Sequence, residues 1–417
     1  MKPSQIPAAG KFILDALHPG RTPHGYRMSA EDWECFSGLT RMHRLEPVLY
    51  HRLARGTAGK DIPQGILDRL RAAHRKHTLR NLAIYRELAT VTRILDGAKI
   101  PSIALKGAFL ARFSYPEPGL RPMRDLDLLL RPEEAVKAFD LLKAHGYRPM
   151  FDGSPEAYFA DRIHLPPLRG PGGVTVELHH RLTPPEMAGN GFEEALWARR
   201  IRRPLGGGEV AFPCAEDVLL HLCIHATLDH QLDLGPLALV DVARLVETGQ
   251  VDWAGFVQTV RGGDWQRVVL PLLYLAREHV GARIPQEVMA ALGAEDGAPA
   301  WLEAAEYLLF SDPAEHRLLD YDVQEILYSG KLSKRFSKLA GAVFPPRSVI
   351  ARHFPVSADS PMAYLYYPRR WYRLFTGKLP SLLRAHAGQG RGLRQLARQR
   401  RTLSEWVREK SPRGSRK

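Results

Sequence analysis

Between Ile100 and Leu182 three short apolar runs of period two alternate with stretches of helical spacing. This order constrains the fold more than any other feature of the chain. "IPSIALKG" (Ile100–Gly107) reads as a buried strand closing on a tight turn, and "AFLARFSY" as a short helix. "RDLDLLL" reads as a second strand, with Leu126, Leu128 and Leu130 alternating against Asp125, Asp127 and Leu129. "RPEEAVKAFDLLKAHGY" is a marked helix: Pro132 near its start, Glu133 and Glu134 in the first turn, Gly146 past its end. "GGVTVELHHRL" is a third strand, with Val174, Val176 and Leu178 on one face and Thr175, Glu177 and His179 on the other. Strand, helix, strand, helix, strand predicts an α/β unit with a sheet of a few strands.

The flanks are helical. Residues 1–97 form an N-terminal helical region, with a cap at Ser29 and one long helix ending near Gly97. Residues 98–213 form the α/β core, and residues 214–368 a helical C-terminal region. The stretch 322–368 is Pro-broken and is expected to wrap the body.

The formal net charge is +14 and is unevenly placed. From Arg369 onward there are 15 Lys/Arg against Glu405 and Glu409; of the chain's 59 basic and 45 acidic residues, this leaves 44 and 43 before that point. Residues 369–417 therefore read as a basic tail, either a solvated, partly disordered arm or a contact for a polyanion. Removing everything after Pro368 is expected to leave the fold intact. The helical spacing of "LPSLLRAH" and "LRQLARQRRTLSEWV" argues the other way. Cys35, Cys214 and Cys223 form no CxxC pattern, and the N-terminus has no apolar signal region. No apolar run approaches a membrane span. A cytoplasmic chain without disulfide or zinc framework is expected.

Asp125 and Asp127 share one face of their strand. Like charges this close repel, and a carboxylate beside a core is costly. If the strand carrying Glu177 is a neighbour, three carboxylates converge, a set of hard oxygen ligands suited to Mg²⁺ or Mn²⁺. Such a pair without its cation is strained, so Asp127→Asn is expected to be at least as stable as wild type. His221, His225 and Asp229 lie at i, i+4 and i+8. That matches metal-ligand spacing, but the preferred reading is polar residues lining the site, with Asp241 as their carboxylate partner. His179 shares the face of Glu177, either pointing into the same cleft or making a structural hydrogen bond.

"IALKGAFLARFSYPEPGLRPMRDLDLLLRPEEAVKAFDLLKAHGYRP", then "VTVELHHRL", "EDVLLHLCIHATLDH" and "LVDVARL", resemble the bacterial uncharacterised nucleotidyltransferase-like family, of the superfamily typified by DNA polymerase beta. The resemblance implies a small mixed-sheet core flanked by N-terminal helices and a C-terminal helical domain. It implies a metal-dependent enzyme that moves a nucleoside monophosphate from an NTP such as ATP to an acceptor, a small molecule, peptide or protein. By resemblance Asp125 and Asp127 form the metal-binding pair, and Glu177 is the third carboxylate and base. Where many superfamily members carry Gly-Ser, this chain has Lys106-Gly107: the turn survives, the serine hydroxyl does not. Lys106, Gly107, Arg121 and Arg124 are the expected nucleotide contacts, or the basic ones simply offset the carboxylates.

Three other readings remain. One keeps the fold as a catalytically weakened nucleotide- or partner-binding protein. A second is nucleic-acid binding through the basic tail, and the third is an interfacial membrane anchor at Tyr364–Phe375, "YLYYPRRWYRLF".

Overall fold

The computed structural model describes residues 6–409 apart from 22, 24–25, 55–61, 152–153, 160–161, 184–190, 295–298, 320–332, 334–336, 338–339, 342, 352, 355, 358, 374–375 and 377–378. Of 317–318, 373 and 379–391 only the backbone is described.

The sheet sits at the centre. Its strands are β1 (Ser102–Ala104), β2 (Asp125–Leu130), β3 (Arg148–Pro149), β4 (Leu168–Arg169) and β5 (Thr175–His179), in spatial order β1-β2-β5-β4-β3. β2 and β5 run parallel and the other pairings are antiparallel, so the sheet is mixed. In the parallel pair Asp127 lies opposite Glu177, and Leu128 opposite Leu178. Leu126, Leu128, Leu130, Val176 and Leu178 are fully buried and form the core face. β3 and β4 have two residues each, too few to register as periodicity. β6 (Ile201–Leu205) and β7 (Gly208–Phe212) form a separate hairpin. Gly206 and Gly207, at φ +58° and +81°, make its two-residue turn, a geometry closed to most side chains.

Helices flank the sheet. α1 (Ala8–Leu17), α2 (Ala30–Met42), α3 (Glu46–Ala54) and α4 (Gln64–Gly97) precede it, α5 (Gly107–Phe113) and α6 (Pro132–Ala144) fall between its strands, and α7 (Phe192–Arg199) follows it. Ser29 caps α2 in a capping box closed by Asp32. α4 runs unbroken for 34 residues, about 50 Å at 1.5 Å per residue. It buries Ile84, Leu88, Val91 and Leu95 and packs on β1, β2 and α6. α8 (Ala215–Ile224), α9 (Pro236–Glu247), α10 (Trp253–Gly262), α11 (Gln266–Val280), α12 (Gln286–Ala291), α13 (Leu302–Phe310) and α14 (Pro313–Leu318) follow the hairpin. Between α8 and α9, His225–Asp229 form one wider π-turn.

Two expectations are corrected. The tail is not a free arm. A helix spans Leu379–Arg408, and Leu393, Leu396, Ala397 and Leu403 are buried in the main core. Trp406 packs on Trp301 at 5.3 Å between ring centroids, and Arg267 donates to the Trp406 carbonyl at 2.8 Å. Four apolar side chains on one helical face supply the docking surface that the high charge concealed. The fold is therefore not independent of everything beyond Pro368. The Pro-broken stretch lies partly outside the described residues; its helices Arg347–Ala351 and Tyr367–Arg373 enclose a small cluster of Ile350, Phe354, Ala363 and Tyr367. Of the proposed anchor, Leu374 and Phe375 lie outside the described residues, Tyr364 and Tyr372 are exposed and Tyr367 is buried. No helix among the described residues is long and apolar enough to cross a membrane.

Candidate active site

The polar face of β2 and β5 opens into a cleft of about 380 Å³ between the sheet and the helical C-terminal region. Asp125, Asp127, Glu177 and His179 line it from the strands, Lys106, Gly107, Arg121 and Arg124 from the loops, and His225, Asp229 and Asp241 from the helical wall.

Asp127 is only 7% exposed. Its Oδ1 accepts a hydrogen bond from His179 Nε2 at 2.9 Å and lies 3.6 Å from Lys106 Nζ. Burial alone would raise its pKa, but the Lys106 charge and the His179 hydrogen bond outweigh burial and hold it well below the usual carboxylate range. The expectation of a merely repelling acid pair is thus corrected: Lys106 offsets Asp127 as counter-charge. Asp125 is shifted the other way, up, by burial and by the Asp127 charge. Glu177 is pushed up to about 8 by burial, then by the charges of Asp127 and Asp125.

His179 is 1% exposed, and burial drives its pKa down to about 4, so the ring is neutral at neutral pH. Its Nδ1 has no partner among the described residues, so for Nε2 to hold a cation the ring proton would move to Nδ1. Glu177 Oε2 lies 3.8 Å from His179 Nε2 and 3.9 Å from His164 Nε2. One ligand atom each from Asp127, Glu177 and His179 falls within a group whose members all lie within 4.8 Å of one another. Two carboxylates and an imidazole on rigid strands fit a divalent cation, and such an ion would offset both the burial and the neighbouring carboxylate charges that raise Glu177. Asp125 shares the strand face but stands outside this group of three. His179 was visible in sequence only as a neighbour of Glu177 on the strand. Its part in the cluster needed the cross-strand geometry.

Lys106 is at φ +42°, a strained backbone for a residue with a side chain. Gly107 follows, where a Cβ would stand 2.5 Å from Arg121 Nη1 and 3.1 Å from Met123 Cγ, so a larger residue would push against the arginine. The loop before β2 is pinned to α4. Asn81 donates through Nδ2 to the carbonyls of Pro118 and Arg121 and accepts from the Met123 N–H at 3.2 Å. Arg80 Nε donates to the Met123 carbonyl at 3.1 Å.

Arg121 reaches the cleft, but two of its donors are committed. Nε and Nη2 grip Asp241 at 3.0 and 2.9 Å, and Tyr115 donates to the same carboxylate at 2.7 Å. Asp241 is thereby taken, which corrects its expected pairing with the histidines. Those histidines divide as well. His221, on the regular part of α8, is 2% exposed and does not line the cleft, while His225 and Asp229, which open and close the π-turn, line it and are bonded to each other at 3.1 Å. Burial lowers the His225 pKa and raises that of Asp229 to about 6. The wall behind the π-turn is braced by the C-terminal helix, where Gln231 Nε2 donates to Ser404 Oγ at 3.0 Å. Sequence reading missed Arg44, His164 and His230 in the lining.

A search of curated proteins gives no match. A family model described as "Uncharacterised nucleotidyltransferase" matches residues 29–281. That span contains the whole sheet, the acidic and histidine cluster and the π-turn wall, and the chain belongs to this uncharacterised nucleotidyltransferase family.

Proposed function

We propose that the chain transfers a nucleoside monophosphate from a nucleoside triphosphate to a hydroxyl or phosphate acceptor, with Mg²⁺ or Mn²⁺ held by Asp127, Glu177 and His179. The observation that carries this reading is the facing of Asp127 and Glu177 across the parallel strands, with the imidazole in the same donor group. Asp125, next along the same face, completes the acidic floor. When bound, the cation neutralises charge on the phosphate oxygens.

The protein's own groups do the positioning. Lys106 and Arg124 meet the phosphate chain as point charge and fork, with Gly107 and Arg121 shaping the turn beneath it. The acceptor oxygen attacks the α-phosphorus and forms a new P–O bond. The bond from the α-phosphorus to the bridging oxygen breaks and pyrophosphate leaves. The acceptor proton passes to the Glu177 carboxylate, which a bound cation would keep ionised at neutral pH. His225 and Asp229 face the reacting centre from the opposite wall, where an acceptor would enter.

The test is incubation with α-³²P-labelled nucleoside triphosphates, Mn²⁺ and a cell extract depleted of small triphosphates. Label should pass to one fraction with wild type and not with Asp127→Asn. Equal labelling by both proteins would overturn the reading.

A further inference from the structure

We infer that Arg44, contributed by the N-terminal helices, forms with Arg124 a two-guanidinium clamp for the terminal phosphates of the nucleotide. This deepens the reading above and rests on it.

α2 ends in a turn where the Arg44 N–H bonds the Arg41 carbonyl at 3.2 Å and the Leu45 N–H bonds the Thr40 carbonyl at 2.8 Å. This is the hydrogen-bond pattern of a helix C-terminus whose closing residue is left-handed, usually glycine. Arg44 occupies that position at φ +57°. Glycine would satisfy the turn with less strain, so the turn itself does not explain an arginine.

The side chain has another role. It lines the cleft with Lys106, Arg124 and Asp125. Its guanidinium makes no hydrogen bond or ion pair within the described residues, in contrast to Arg121, which is neutralised by Asp241. Burial, then the neighbouring charges of Arg124 and Arg121, push its pKa down to about 10, still fully charged at neutral pH. Arg124 has no salt bridge among the described residues either. Two forks side by side with no carboxylate hydrogen-bonded to either leave their N–H donors open for a polyanion, while Asp125 offsets part of their charge. Guanidinium forks match phosphate oxygens in pairs. Arg121, which the sequence offered for this role, instead serves as the clamp's fixed neighbour.

The experiment is calorimetric titration of the full chain with ATP, inorganic tripolyphosphate and adenosine, in Mn²⁺, paired with melts in the absence of ligand. Arg44→Gly should melt at or above the wild-type temperature, because it relieves the left-handed strain and a buried charge. It should bind ATP and tripolyphosphate roughly ten- to a hundredfold more weakly. Arg44→Asn, which tolerates the same backbone, should do likewise, and Arg44→Lys should recover part of the affinity. Unchanged tripolyphosphate affinity in the Gly and Asn variants overturns the inference. So does a lowered melting temperature in both, which assigns Arg44 a structural role. If wild type binds neither ATP nor tripolyphosphate, both the clamp and the proposed function fall. If binding depends on Arg44 but no label is ever transferred, the clamp stands and the transferase reading falls.

Discussion

Glu177→Gln should stabilise the cation-free protein, and by an amount that depends on pH. The Glu177 carboxyl has an ordinary pKa of 4.5 and is raised to about 8 in the fold. Below 4.5 both folded and unfolded chains hold the proton, and the shift has no effect on stability. Between 4.5 and 8 the unfolded chain releases it while the folded chain keeps it, so stability falls as pH rises. At 1.36 kcal/mol per unit, the loss reaches about 3 kcal/mol at pH 7 and grows further until the folded group ionises. The side chain is only 21% exposed, so solvent screens little of this. Glutamine keeps the shape and has no proton to lose. Thermal melts in chelator should therefore give nearly equal midpoints at pH 5 and a gap of a few degrees at pH 8, with the variant higher. Adding Mn²⁺ should raise the wild type and leave the variant nearly unmoved, closing or reversing the gap. A variant no more stable than wild type at pH 8, or a gap of equal size at pH 5, refutes the reasoning.

Asp127→Asn should act in the opposite direction, lowering apo stability by about 1–3 kcal/mol, because it strips the partner from Lys106 and His179. The contribution of Asp127 is present at neutral pH and lost as pH falls through its depressed folded value, so the deficit should shrink in acid melts. Asp241→Asn leaves the Arg121 guanidinium without its counter-charge and should cost about 3–5 kcal/mol in urea unfolding, with Tyr115→Phe costing less. Leu396→Ala, in the C-terminal helix, should cost about 2–5 kcal/mol, and a chain ending at Pro368 should aggregate or melt far below wild type. Wild-type midpoints in either protein would show that this helix docks without supporting the core.

The sheet was legible where hydrophobic period and charge agreed. "RDLDLLL" and "VTVELHH" each expose one acidic face and bury one aliphatic face, and that contrast alone places Asp127 and Glu177 on the same side. What sequence could not supply was partnership. Lys106 carries no mark that its ammonium would sit 3.6 Å from Asp127. Asp241 gives no sign that it would choose Arg121, 120 residues earlier, over the nearer histidines. Spacing at i, i+4 and i+8 assumes a regular α-helix, and the π-turn over His225–Asp229 breaks that regularity after His225. The tail misled for a different reason: fifteen basic residues dominate its composition, while docking depends on four apolar ones at helical intervals. The glycine pair at 206–207 did carry a hairpin signal, between flanks too polar to stand out as strands.

The bonds from Asn81 and Arg80 to the loop before β2 determine which side of the cleft can give way. Five backbone groups of that loop are tied to the middle of a long helix that is itself packed on the sheet, so the basic side has no hinge. The opposite side is built otherwise: a π-turn, then Gln231 and Leu232 at φ +46° and +65°, then Gly235 at +72°. These are uncommon backbone states in succession, each with a nearby alternative of lower local energy. Entry of an acceptor and exit of product are therefore expected to work like a door hung on the π-turn, closing against a fixed jamb. Hydrogen exchange should find the amides of 226–235 opening faster than those of 119–124.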